Sequence, residues 1–116
     1  MKLYGYKKCS SCRDAEKVLL AHKIPYEFID ITENPPSAVE LKSIVKNSGL
    51  ELKKFLNTSG EVYRSMGLKD KLKNYSDDEL IKLLATNGRL IKRPLLVDKT
   101  KVTVGASVEV MKTWTL

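Results

Sequence analysis

The sequence predicts an α/β fold with a four-stranded mixed sheet. Three observations carry the expectation: a β-α-β opening, a closing β-β-α unit, and a run of short helical segments between them. At 116 residues, 42% hydrophobic and 30% charged, the chain reads as a single domain over 1–116. A chain of this size buries roughly two-thirds of its unfolded surface, so an ordinary apolar core suffices.

Each element follows from local chemistry. Residues 2–6 form an aromatic-rich strand that stops at Lys7-Lys8-Cys9-Ser10-Ser11. From Cys12 to His22 the apolar positions Ala15, Val18 and Leu19 recur at helical spacing, and Ser10 or Ser11 offers an N-cap oxygen. Residues 25–31 read as a second strand. Asn34-Pro35-Pro36-Ser37 ends it and opens a helix through about residue 46, with Ser37 and Glu40 in capping-box spacing and Gly49 as its stop. Leu52 to Leu56 suggests a helical turn, 57–60 a polar loop, and Glu61 to Met66 a short helix. Ser76 and Glu79 repeat the capping box ahead of a helix to Thr86, which Asn87-Gly88 ends. Leu95–Val97 and Lys101–Val104 form a hairpin around 98–100, and 107–114 close the chain as an amphipathic helix. This order is the thioredoxin arrangement in its four-stranded, glutaredoxin-type form. Its core spans about 1–35 and 88–116, with a helical insertion over about 36–87.

Charge and cysteine usage narrow the function. The net charge is +7, and residues 87–116 hold six basic against two acidic side chains, four of that excess. No run of five or six like charges occurs, so a basic arm for direct nucleic-acid binding is not expected. No apolar stretch approaches the roughly 18 residues of a membrane helix, and no signal-type hydrophobic region precedes the first strand. A cytoplasmic, membrane-free monomer is expected. Two cysteines so close together could not staple a fold. In a reducing compartment such a pair is reactive or metal-binding rather than structural.

Cys9-Ser10-Ser11-Cys12 falls where a strand hands over to a helix. A thiolate at Cys9 would meet unpaired backbone N–H groups and the positive end of the helix dipole, with Lys7, Lys8 and Arg13 adding positive charge. Cys12, one turn on, could resolve a mixed disulfide formed on Cys9. Two inert, half-buried thiols are the alternative. A zinc site needs about four ligands and only His22 could join the two thiols, so no metal is expected. Arg93-Pro94 precedes a strand, where an X-Pro bond is extended and sometimes cis. In a thioredoxin-type fold that turn packs on the cysteine motif, which gives Pro94 a structural role and brings Arg93 to the thiolate or an anionic substrate. Thr58-Ser59-Gly60 offers hydroxyls and N–H groups as an anion cradle, or simply an N-cap turn. His22 reads as a surface residue at a helix end, and Trp114 as core.

The segments from Tyr4 through Leu19, Lys53 through Leu72 and Leu90 through Val104 resemble the arsenate-reductase-like family that also contains the Spx and MgsR regulators. The similarity covers essentially the whole chain. It implies a thioredoxin-like core with a helical insertion. Cys9 matches the catalytic cysteine of the glutathione- and glutaredoxin-linked arsenate reductases, and Arg13 and Arg93 match basic residues near it. Two further arginine positions of those reductases are Lys53 and Gly105 here, a point charge and no side chain in place of a bidentate fork. Those reductases usually lack a second cysteine at the position of Cys12. The pair instead resembles the C-x-x-C switch of Spx, with Gly105 in a similar context. Three activities are implied: a thiol-disulfide oxidoreductase without bound cofactor, using glutathione as co-substrate or glutaredoxin as partner; an Spx-type redox sensor binding the C-terminal domain of the RNA polymerase α subunit; and an arsenate reductase.

Overall fold

The computed structural model describes residues 1–115; Leu116, the end of the expected single domain, lies outside the described residues. Strand β1 (Lys2–Gly5) leads through helix α1 (Ser10–Ala21) to β2 (Glu27–Asp30). Four helices follow before the sheet resumes: α2 (Ala38–Ser48), α3 (Glu61–Ser65), α4 (Leu68–Lys71) and α5 (Asp77–Thr86). The chain closes with β3 (Leu95–Asp98), β4 (Lys101–Val104) and α6 (Val108–Thr115). The sheet order is β2-β1-β3-β4, with β1 parallel to β2 and the other pairs antiparallel. This is the expected thioredoxin-like mixed sheet.

Alternation along the strands sorts the core into two layers. Leu3 and Leu96 point to the face covered by α1 and α6, where they meet Ala15, Leu19 and Met111. Their neighbours Tyr4 and Leu95 point the other way, into a larger cluster with Ile31, Leu41, Phe55, Leu84 and Ile91 beneath the α2–α5 helices. Trp114 packs on the first layer and donates its indole N–H to Thr103 Oγ1 at 2.7 Å.

Both expected capping boxes are present. Ser37 and Ser76 accept from the backbone N–H groups of Glu40 and Glu79, whose carboxylates accept in return. Gly49, at φ 70°, ends α2. Helix α1 departs from expectation: it begins at Ser10, and neither serine caps it. Cys9 itself occupies the N-cap position, with extended φ and ψ of −81° and 121° and no side-chain cap bond. Helix α4 and the 3₁₀ turn after it, Leu72–Asn74, fall where the sequence predicts no clear element, because a four-residue helix leaves too short a periodic pattern.

The 88–93 segment is tied to both neighbours. Its entry glycine, Gly88, lies so close to the chain after β2 that a Cβ there would overlap the Ile31 carbonyl oxygen. Farther along, Lys92 N–H donates to Phe55 O at 2.7 Å, and Leu56 and Ile91 form an isolated bridge. The helical segment is thereby locked against the turn that enters β3.

Candidate active site

The chain leaving β1 carries Tyr6 and Cys9 to the start of α1. Cys9 N–H donates to Tyr6 O at 3.0 Å, and its own carbonyl accepts from Arg13 N–H at 3.1 Å, the first bond of the helix. Cys9 is half-buried and Cys12 fully buried, both as free thiols. Gly5 makes room for the second sulfur: a Cβ at that position would lie 2.9 Å from Cys12 Sγ.

The antiparallel register pairs Tyr4 with Leu95. The next steps of that register bring Pro94 and Arg93 beside the end of β1. The Arg93–Pro94 bond is cis, and Pro94 is buried, with its carbonyl accepting from Gly105 N–H at 2.9 Å. The Arg93 guanidinium lies 5.8 Å from the centre of the Tyr6 ring.

The two thiols differ in acidity. Partial burial pushes the Cys9 thiol up, but this is outweighed by hydrogen bonds from the Cys12 thiol and Cys12 backbone N–H and by the Arg93 guanidinium, so its pKa falls below the ordinary value. Cys12 moves the other way. Burial foremost, then its hydrogen bond to Cys9, pushes it up to about 12. Of the pair, the half-exposed Cys9 is thus the thiol that ionises first, and the buried Cys12 the one that stays protonated as its donor. Cys9 ionisation, favoured in the fold, stabilises it above the ordinary thiol pKa, and that contribution is lost as pH falls through the lowered value.

Two of the cations adjacent in sequence, Lys7 and Arg13, are otherwise engaged. Lys7 Nζ sits 4.7 Å above the Phe28 ring, and Arg13 Nε donates to Lys7 O at 3.0 Å, bracing the loop that carries Cys9. The guanidinium that bears on the sulfur arrives from Arg93, across the sheet. Replacing Arg93 by Gln is expected to raise the pH midpoint for Cys9 alkylation by iodoacetamide and to slow the reaction at pH 7 several-fold, whereas Lys53→Gln leaves both unchanged.

A recess of about 310 Å³ opens beside Arg93, lined by Tyr6, Thr32, Asn57, Gly60, Glu61, Val62 and Arg89 as well. Thr58 and Ser59 form the exposed turn next to it rather than its lining, and the Ser59 hydroxyl donates to Asn57 Oδ1 at 3.4 Å. Lys53 is elsewhere, in a groove with Lys69, Lys73 and Tyr75. Asn57 and Arg89 carry no signal in the sequence, since the contact that joins them spans 32 positions. Among the described residues, no three His, Cys, Asp or Glu side chains gather to hold a metal, and no helix is long and apolar enough to cross a membrane.

Residues 4–114 match the model of the ArsC family. The chain is 52% identical to the uncharacterized protein YusI of Bacillus subtilis, over 90% of this chain and 89% of that one. It is 28% identical to the global transcriptional regulator Spx of Enterococcus faecalis, over 90% and 78%. Among solved structures, an arsenate reductase from Vibrio cholerae superposes with a TM-score of 0.85 at 29% identity, covering 100% of this chain and 98% of that one.

Proposed function

The chain belongs to the ArsC family, and from that premise we propose that it is a thiol-disulfide oxidoreductase in which Cys9 attacks and Cys12 resolves. The carrying observation is the split in acidity between a half-exposed thiol at a helix N-terminus and a buried one pushed up to about 12. The Cys9 thiolate attacks one sulfur of a substrate disulfide, forming a mixed disulfide and expelling the other sulfur as a thiolate that takes a proton from water. Cys12 then loses its proton and attacks Cys9 Sγ, releasing the second substrate thiol and leaving a Cys9–Cys12 disulfide. An external thiol, glutathione or a glutaredoxin-type dithiol, returns the pair to the reduced form. Arg93 stabilises the attacking thiolate and an anionic substrate, with Arg13 bracing the loop. The test is reduction of insulin and of a glutathione mixed disulfide by the purified protein. Activity above the thiol background is expected, and its absence with both substrates overturns the reading.

A second reading has its own observation, the presence of both cysteines in a relative of the transcriptional regulator Spx. There the same pair acts as a sensor, and the partner is the C-terminal domain of the RNA polymerase α subunit. A pull-down with that domain is expected to show binding that changes between reduced and oxidised protein; no capture in either state removes this reading. Arsenate reduction stands third. The turn after β4 carries Gly105 and Lys53 lies in a separate groove, so Arg93 is joined in its recess by Arg89 rather than by either of those positions.

A further inference from the structure

Arg93 stands between two anionic groups, of which the chemistry described so far uses one. Strand β1 lies between β2 and β3 in the sheet. The parallel register sets its last residue, Gly5, opposite Asp30, and the antiparallel register, carried one step past Tyr4 and Leu95, sets it opposite Pro94. Asp30 and Arg93 therefore approach the same end of β1 from its two sides, the end that leads on to Cys9. The chain after β2 narrows the gap between them. The Gly88 backbone packs on the Ile31 carbonyl, and Thr32 lines the recess together with Arg93 and Tyr6.

The Asp30 carboxylate is fixed in place. Its Oδ1 accepts from the Thr32 N–H at 2.9 Å, from the Thr32 hydroxyl at 2.6 Å and from the Glu33 N–H at 3.4 Å. The Thr32 hydroxyl foremost, with the Arg93 charge among the smaller causes, holds the carboxyl below the usual carboxylate range. No ion pair closes between Asp30 and Arg93: among the described residues the ion pairs are those of the Met1 amine with Asp98 and of Lys42 with Asp78. In the reduced protein the guanidinium bonds to Cys9 instead. Other charges surround it. Arg89 and Glu61 share its recess, Glu33 follows Thr32, Lys8 precedes Cys9, and Lys7 and Arg13 are held at the Phe28 ring and the Lys7 carbonyl. Of the carboxylates, Glu33 and Glu61 are exposed and screened by solvent, whereas Asp30 is half-buried and anchored.

We propose that Asp30 competes with the Cys9 thiolate for the Arg93 guanidinium, and that this carboxylate thereby sets how strong an oxidant the cysteine pair is. When Cys9 and Cys12 join in a disulfide the thiolate charge is gone, and Arg93 turns to Asp30. A charge that stabilises the disulfide more than the dithiol makes the pair a weaker oxidant and keeps the attacking thiol less acidic. The assignment rests on the thiol-disulfide reading above and adds to it a positioning residue, one that touches no substrate and acts through Arg93.

The test uses Asp30→Asn, which keeps Oδ1 as an acceptor for Thr32 and Glu33 and removes only the charge. Two readouts follow it. One is the pH midpoint of Cys9 alkylation by iodoacetamide. The other is the equilibrium of the pair with glutathione: two glutathione thiols become oxidised glutathione, and the disulfide takes up their two electrons to become the Cys9 thiolate and the Cys12 thiol, with one proton released to the buffer. The midpoint is expected to fall by about half a pH unit and, at a pH above it, the equilibrium to shift about threefold toward the dithiol, the same change read twice. Asp30→Glu keeps the charge and should match the parent chain in both. In an Arg93→Gln background, Asp30→Asn should move neither readout. A midpoint that stays or rises with Asp30→Asn, a fall as large with Asp30→Glu, or a full effect without Arg93 each overturn the inference and leave the thiol-disulfide reading standing. A parent chain that forms no Cys9–Cys12 disulfide with the glutathione couple overturns that reading instead, while the alkylation midpoints still decide the link from Asp30 through Arg93 to Cys9.

Discussion

Replacing Cys9 by Ser is expected to lower disulfide-exchange activity at least about a thousandfold, to the background of the thiol reductant. A serine hydroxyl at the same helix start keeps the hydrogen bonds but does not ionise at neutral pH, so the attacking anion is lost while the fold is kept. Cys12→Ser should behave differently. Cys9 still attacks, but no second thiol follows, and the protein accumulates as a mixed disulfide whose added mass equals the bound substrate thiol. Mass spectrometry of the intact protein reads both outcomes. Equal loss in the two variants with no trapped adduct would contradict the division of roles.

The second large effect concerns stability. Gly88→Ala places a Cβ on top of the Ile31 carbonyl oxygen, with the Ile31 carbonyl carbon only 2.7 Å away. Both obstacles are backbone, so no change of rotamer relieves them, and either the turn or the chain after β2 must move. Overpacking of this kind is expected to cost about 3 kcal/mol or more. The same shift would disturb Ile31, whose N–H donates to Gly5 O beside Cys12. Urea unfolding of Gly88→Ala against the parent chain measures the loss. A change below about 0.5 kcal/mol, the range of ordinary surface substitutions, would show that the turn is not so constrained.

Sequence signals are informative here where they are local. Both capping boxes, the helix stop at Gly49 and the hairpin around Lys99 rest on residues a few positions apart, and each is present. The cysteine motif is legible for the same reason. Its helix begins earlier than the sequence suggests because serine is the commoner N-cap, yet here the extended residue before the helix is Cys9. What brings charge to the site is legible only in part. Arg93 follows from the arrangement of the fold, but Lys7 and Arg13, adjacent to Cys9 in sequence, turn to the Phe28 ring and the Lys7 carbonyl. The Asn57–Arg89 contact, in which the Asn57 amide donates to the Arg89 carbonyl, depends on a fold that brings two loops together and leaves no spacing to read. Thr58 and Ser59 offer the hydroxyls that a sequence reader notices, whereas it is their neighbours Asn57 and Gly60 that line the recess.

The proposed chemistry depends on the unequal acidity of two thiols one helical turn apart. The most direct test is the pH dependence of alkylation at each cysteine, followed site by site by mass spectrometry of the reduced protein. The expected result is rapid modification of Cys9 with a midpoint below the ordinary thiol value, while Cys12 stays unmodified throughout the neutral range. Similar rates at both cysteines, or a Cys9 midpoint at or above the ordinary value, would contradict it.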